Sequence, residues 1–209
     1  MTHCFSRRSF LKGSAAAAAV LSSPLLPADA ASSETENGLF SPVSALCQTQ
    51  YGPVRGREGK NGLLCWYGIP YGAAPTGESR WTAPLEPSRW QTVRDCTSPA
   101  PAAYQYTTFP LGTEDCLTLD IYSSAEAKKR PVLVYLHGSA ATGSSLELPG
   151  CELVRDAGCV FVALNYRLGL FGWNCLPALT ADPDATGNFA LLDIARALPW
   201  VRDNLRRFG

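Results

Sequence analysis

The 209-residue chain reads as an α/β protein whose central sheet is mostly parallel and begins with an antiparallel hairpin. Three observations point there. Leu117-Thr118-Leu119-Asp120-Ile121-Tyr122 alternates with period two, and Pro131 to Leu136 is a near-continuous apolar run. Cys159 to Tyr166 is a second apolar run, reached through a short helical stretch from Glu152 to Ala157. Unbroken apolar strands belong to sheets covered on both faces. Strand, loop, helix and strand in this order describe an α/β sheet with short connections.

The first thirty residues read as an export signal. Ser6-Arg7-Arg8-Ser9-Phe10-Leu11-Lys12 is a basic start with paired arginines, Ala15 to Leu26 is apolar, and Ala28-Asp29-Ala30 gives a small-x-small cleavage pattern. The arginine pair followed by Phe-Leu-Lys is the twin-arginine pattern, so the expected partner is the twin-arginine export machinery and the expected destination is the periplasm or the exterior. Ser22, Ser23 and Pro24 interrupt the apolar run, which is too short to span a bilayer, and no membrane span is expected after cleavage. Residues 31–42 are polar and read as a linker, with one domain from 43 to 209.

Eighteen basic and eighteen acidic residues cancel in the whole chain, and removing residues 1–30 leaves 15 and 17. Such a chain has no field to draw it to nucleic acid or anionic lipid. Seven of the eight cysteines follow the signal, where an oxidising compartment favours disulfides. No Cys-x-x-Cys occurs and His137 is the single histidine beyond residue 30, so neither a structural metal nor a cofactor is expected.

From Val43 to Trp66 short apolar runs are broken by Gly52-Pro53, Gly56, Gly59 and Asn61-Gly62, as in a hairpin-rich start. Gly68 to Pro101 is too rich in glycine and proline for long helices and reads as a surface excursion held by Trp81 and Trp90 as core anchors. The last segment, Asn188 to Phe208, reads as a helix with Leu191, Leu192, Ala195, Leu198, Val201 and Leu205 on one face. Pro199 removes a backbone donor inside it, which predicts a kink or two shorter helices.

Five stretches in order resemble the type-B carboxylesterase, or cholinesterase-like, family. They are Gly68-Ile69-Pro70-Tyr71-Gly72 with Gly77 to Trp81; Glu114 to Tyr122; Pro131 to Gly138; Leu164 to Gly172; and Gly187 to Asp193 followed by Ala197 to Arg202. The resemblance implies the N-terminal part of an α/β-hydrolase fold, left incomplete. It implies a serine hydrolase that turns a small-molecule carboxylic ester and water into carboxylate and alcohol through an acyl-enzyme. It also implies two structural ion pairs, Arg80 with Glu114 and Arg167 with Asp193. In relatives a cysteine at the position of Cys116 pairs with one in the preceding loop; here the nearest candidate is Cys96.

His137-Gly138-Ser139-Ala140 follows a strand, where α/β-hydrolases place backbone N–H donors for the oxyanion. Gly138, Ser139 and Ala140 are the candidate oxyanion residues. The family carries glycine where this chain has Ser139, a side chain that disfavours the required backbone angles. A His137–Ser139 base and nucleophile pair is disfavoured, because residues two apart on a tight loop seldom aim at one point. No Gly-x-Ser-x-Gly occurs between Met1 and Gly209, so no catalytic residue is assigned and these 209 residues are expected to be inactive alone. An open apolar strand edge is expected after Cys159 to Tyr166, with an insoluble or partly unfolded chain as its consequence. The competing reading is a non-catalytic cholinesterase-like binding module.

Overall fold

The computed structural model describes residues 40–125, 129–148, 150–174, 176–179 and 187–209. The signal at 1–30 and most of the stretch read as a linker, 31–42, lie outside them. The first strand, β1 (Phe40–Gln48), already begins within that stretch and pairs antiparallel with β2 (Pro53–Gly59). Thr49 closes the turn between them. Its hydroxyl donates to the Gly52 carbonyl (2.8 Å) and accepts from the Tyr51 and Gly52 amides.

β3 (Leu63–Pro70) adds to β2, and β7 (Thr118–Ser124) adds to β3, both antiparallel. The β3–β7 register slips between Trp66 and Ile69. Gly68 sits in that bulge at φ 64°, where a side chain would collide with Ala100, and its amide donates to the Asp120 carboxylate at 2.8 Å. The excursion between these strands has no long helix, as its composition predicts. It contributes β4 (Arg94–Asp95), which pairs parallel with β2, and the hairpin of β5 (Gln105–Tyr106) and β6 (Pro110–Leu111).

The βαβ unit then follows: β8 (Val132–Leu136), α1 (Gly150–Ala157) and β9 (Val160–Leu164). β9 does not extend the sheet outward. It inserts between β7, to which it is antiparallel, and β8, to which it is parallel, giving the order β1-β2-β3-β7-β9-β8. The sheet is therefore mixed, and its antiparallel part reaches well beyond the opening hairpin. Side chains alternate across it. Leu119, Ile121, Val160, Val162 and Leu164 pack on one side with Trp200 and Val201, whereas Tyr122, Phe161 and Ala163 pack on the other with Cys151 and Val154 of α1.

Three expectations change here. The open edge is β8 and not the strand after Cys159, because β9 is enclosed on both sides. For the same reason the Pro131–Leu136 run is not buried on both faces: Val132, Leu133 and Leu136 are 46%, 45% and 43% exposed. Trp81 and Trp90 are both half-buried; Trp90 packs against the core cluster as expected, and Trp81 does not. Trp90 stacks on Tyr51 and donates to the Pro53 carbonyl, while Trp81 stacks on Phe171 at the surface.

After β9 a single helical turn, α2 (Gly169–Gly172), precedes the terminal helix, α3 (Phe189–Asn204), which runs through Pro199 as one element and is followed by a single turn at Leu205–Arg207. Its buried stripe matches the one read from leucine spacing only at Val201, with Leu205 buried just beyond it. Phe189, Ala190, Asp193, Ala197, Trp200, Val201 and Asn204 face the sheet, whereas Leu191 and Leu198 are 51% and 46% exposed. Two polar residues belong to the buried stripe because each is satisfied there. Asp193 holds Arg167, and Asn204 accepts from the Gln50 amide (2.8 Å) while donating to the Trp200 carbonyl (2.9 Å).

Candidate active site

The candidate residues lie in the turn after β8. His137 leads it, 3% exposed, its ring stacked on Tyr166 with centroids 4.2 Å apart. Its Nδ1 lies 3.3 Å from the Gly138 carbonyl, and its Nε2 has no hydrogen-bond partner among the described residues. Burial pushes the imidazole below the ordinary histidine range, with the Gly138 contact and Glu147 opposing, so it is held neutral.

Gly138, Ser139 and Ala140 follow, all exposed. A Cβ placed on Gly138 would meet nothing within 4 Å, so no packing demands glycine there and the backbone is open to an incoming group. Ser139 takes φ 72°, the left-handed region that glycine adopts freely and serine seldom does. Its Oγ accepts from the amides of Ala141 (3.1 Å) and Thr142 (3.3 Å). The amides of Gly138, Ser139 and Ala140 donate to no acceptor among the described residues.

The surrounding scaffold grips this turn from three directions. The Tyr166 hydroxyl donates to the His137 carbonyl at 2.5 Å, and the Gly169 amide donates to the Ala140 carbonyl at 2.7 Å. At the far end Gly143 is clamped by Gln105. That side chain donates to the Gly143 and Ala103 carbonyls (2.9 and 3.1 Å) and accepts from the Gly143 amide at 3.0 Å. Ser145 closes the loop into a buried polar knot. Its hydroxyl donates to Asp120 (2.7 Å) and accepts from Asn165, whose own side-chain oxygen accepts from the Ser145 amide. Gln105, Asp120, Ser145, Asn165 and Tyr166 carry no catalytic signature, and sequence reasoning assigned them no role. Asp120, Asn165 and Tyr166 lay within the stretches that resemble the family, and that was the available signal.

Both expected ion pairs are present. Arg80 meets Glu114 through a fork, with Nε on one carboxylate oxygen and Nη2 2.8 Å from the other, in half-buried surroundings. Arg167 and Asp193 are fully buried. Nη2 and Nε donate to the two carboxylate oxygens at 2.7 and 2.9 Å, the Arg167 amide adds a third bond at 3.1 Å, and Nη1 reaches the carbonyls of Arg80 and Thr82. The pairs tie the excursion and α3 to the segment after β9. Neither touches the turn.

The Cys96–Cys116 pairing is not formed: both are free, buried thiols. Burial raises Cys96 to about 12 and raises Cys116 further, so neither is a thiolate nucleophile at neutral pH. His137 and Ser139 make no bond with each other, and Ser139 Oγ is occupied as an acceptor, which leaves no nucleophile and base pair in the turn. Among the described residues no cluster of three potential metal ligands occurs. A groove of about 910 Å³ lies elsewhere, between β8 and the end of α3, with Val132, Leu198, Val201 and Leu205 among its apolar lining; none of the turn residues lines it.

A mixed sheet flanked by helices, with a backbone-rich turn leaving one of its strands, defines an α/β-hydrolase portion. Residues 43–209 match the profile described as "Carboxylesterase family", and the chain belongs to that family. It is 38% identical over 176 residues to the para-nitrobenzyl esterase of Bacillus subtilis, covering 78% of this chain and 35% of the relative. Carboxylesterase 3B of Mus musculus is 37% identical over 185 residues, covering 77% and 32%. The solved structure of a PNB esterase superposes with a TM-score of 0.71 at 38% identity, over 78% of this chain and 35% of that one. A Geobacillus stearothermophilus carboxylesterase gives 0.69 at 38% identity, with the same coverage. The chain thus spans about a third of the length of the curated relatives it matches. Residues 4–23 match the twin-arginine translocation signal, so the chain carries a signal for export from the cytoplasm. Among the described residues no helix is long and apolar enough to cross a membrane.

Proposed function

We propose that this chain is the N-terminal portion of an exported serine carboxylic ester hydrolase, and that Gly138, Ser139 and Ala140 supply its oxyanion-binding amides. In such a reaction a serine alkoxide adds to the ester carbonyl, and the carbonyl oxygen gains a full negative charge. Backbone donors fixed in advance stabilise that charge without reorganising. The observation that carries the reading is the division of amides in one turn: those of Ala141 and Thr142 are engaged by Ser139 Oγ, while Gly138, Ser139 and Ala140 keep theirs. Steric openness at Gly138 supports the approach of a carbonyl.

The nucleophile of a Gly-x-Ser-x-Gly turn, the acid and the catalytic histidine are supplied by none of these 209 residues, so the chain by itself does not turn over esters. Oxyanion donors without a nucleophile give little more than residual catalysis. The substrate class is a small-molecule carboxylic ester, and no cofactor takes part. The twin-arginine signal directs the folded chain to the periplasm or beyond, with cleavage after residue 30 and the esterase portion starting near residue 43.

A chimera tests this reading. Residues 43–209 replace the matched third of the B. subtilis para-nitrobenzyl esterase, and the purified chimera is assayed on p-nitrophenyl acetate. Ester hydrolysis above buffer is expected, because the turn then faces a complete nucleophile. A chimera that folds with native-like circular dichroism and melts cooperatively, yet hydrolyses no ester, would refute it.

A further inference from the structure

We infer that Ser139 is a positioning residue, whose hydroxyl sorts the amides of its own turn into a bound set and a presented set. The inference rests on the oxyanion reading above and extends it to the residue that departs from the family's glycine.

Two facts about Ser139 oppose each other unless its side chain has work to do. At φ 72° glycine is the residue with no steric penalty, and a serine there is uncommon. Yet this serine is exposed, so no packing of its side chain explains its presence. What the hydroxyl does have is a set of local bonds. Oγ accepts from the Ala141 amide at 3.1 Å and from the Thr142 amide at 3.3 Å, and lies 3.5 Å from the Thr142 hydroxyl. With those two donors turned toward Oγ, the Gly138, Ser139 and Ala140 amides are left donating to no acceptor among the described residues.

A glycine at this position would hold the same φ but would leave five consecutive amides free to reorient toward water. Oxyanion stabilisation depends on donors fixed before the reaction, and each donor that must be reoriented loses part of its effect. The scaffold already pins the turn at the His137, Ala140 and Gly143 ends, through Tyr166, Gly169 and Gln105. Ala141 and Thr142 lie between the last two pins, and Ser139 Oγ is what holds them. Serine thus replaces conformational freedom with an internal acceptor.

The test uses the full chain labelled with ¹⁵N-alanine, since Ala140 and Ala141 stand side by side in the presented and bound sets. Three variants separate the acceptor from the backbone angle. Ser139→Ala removes the acceptor and keeps the strained angle, and Ser139→Gly removes both. Ser139→Asn tolerates positive φ and offers a side-chain oxygen to the amide two residues on. In the parent, the Ala141 amide exchanges slowly and the Ala140 amide quickly. Methylphosphonate, the oxyanion probe, shifts Ala140. With Ser139→Ala and Ser139→Gly, Ala141 exchange rises about tenfold, the effect of losing one hydrogen bond, and the affinity for methylphosphonate read at Ala140 falls several-fold. Ser139→Asn restores both. If Ala141 exchange responds but methylphosphonate binds all four proteins equally, Ser139 is merely structural and the inference fails while the oxyanion reading stands. If methylphosphonate leaves Ala140 of the parent unmoved, the oxyanion reading fails and takes the inference with it.

Discussion

The edge strand β8 gives the prediction with the largest physical lever. It pairs on one side with β9, and the described residues place no strand on the other. Val132 and Leu133 on this edge are 46% and 45% exposed, and Leu198 across the groove is 46% exposed. Fully burying a side chain of this size stabilises by roughly 1.5 to 3 kcal/mol, so covering the exposed half of each is worth about 1 kcal/mol. An unpaired edge with such residues on both faces is a template for self-association. Replacing Val132 and Leu133 by lysine removes about 2 kcal/mol of that drive, which corresponds to a roughly 30-fold weaker association. Neither residue belongs to the buried core, so the fold should survive. Sedimentation velocity over a hundredfold concentration range reads the effect, with Leu85→Lys, 61% exposed and off the edge, as control. The parent and Leu85→Lys should associate alike, and the double lysine should shift toward monomer. Identical sedimentation of all three would refute the reasoning.

Three further outcomes follow, measured in the double-lysine background. Asp193→Ala should lower stability to urea by about 3 to 5 kcal/mol, because it strands a buried guanidinium and removes three hydrogen bonds at once; a loss below about 1 kcal/mol would show the pair to be dispensable. His137 titrates below its ordinary range in the fold because burial disfavours the cation. The unfolded chain therefore binds the proton first as pH falls through about 6.5, and stability drops there with a slope of up to about 1.4 kcal/mol per pH unit. His137→Phe, which keeps the stack on Tyr166, should flatten that drop in urea midpoints between pH 7 and 5. Cys96 and Cys116 should resist iodoacetamide in the folded chain and both be alkylated, without reductant, once it is denatured. A Cys96–Cys116 peptide pair recovered from unreduced digests would contradict the structure.

The strands and the family were legible because their signals are local. Runs at 117–122, 131–136 and 159–166 became β7, β8 and β9, and the glycine-punctuated start became β1 to β3. What the runs do not encode is order. A strand's apolar content is the same whether a neighbour covers it or not, so the insertion of β9 between β7 and β8, which exposes β8, could not be read from composition. In α3 the leucines misled for a related reason. The buried stripe is marked by Asp193 and Asn204, polar residues that are inside because Arg167 and the Gln50 amide meet them, and those partners lie 26 and 154 residues away. Pro199 was expected to kink the helix or split it in two, and it does not split it, since one element runs through it. At the candidate site, the strain at Ser139 followed from the family's glycine and is seen as φ 72°. Its compensation by Oγ did not follow, since it depends on where the next two amides point.

We propose that the turn presents its amides to an oxyanion and that none of the 209 residues is an ester-attacking serine. The most direct measurement is hydrolysis of p-nitrophenyl butyrate by the purified 209-residue chain beside its Ser139→Ala variant. Both should release nitrophenol at no more than a residual rate above buffer. Turnover by the parent that disappears in Ser139→Ala would make Ser139 the nucleophile and contradict the account.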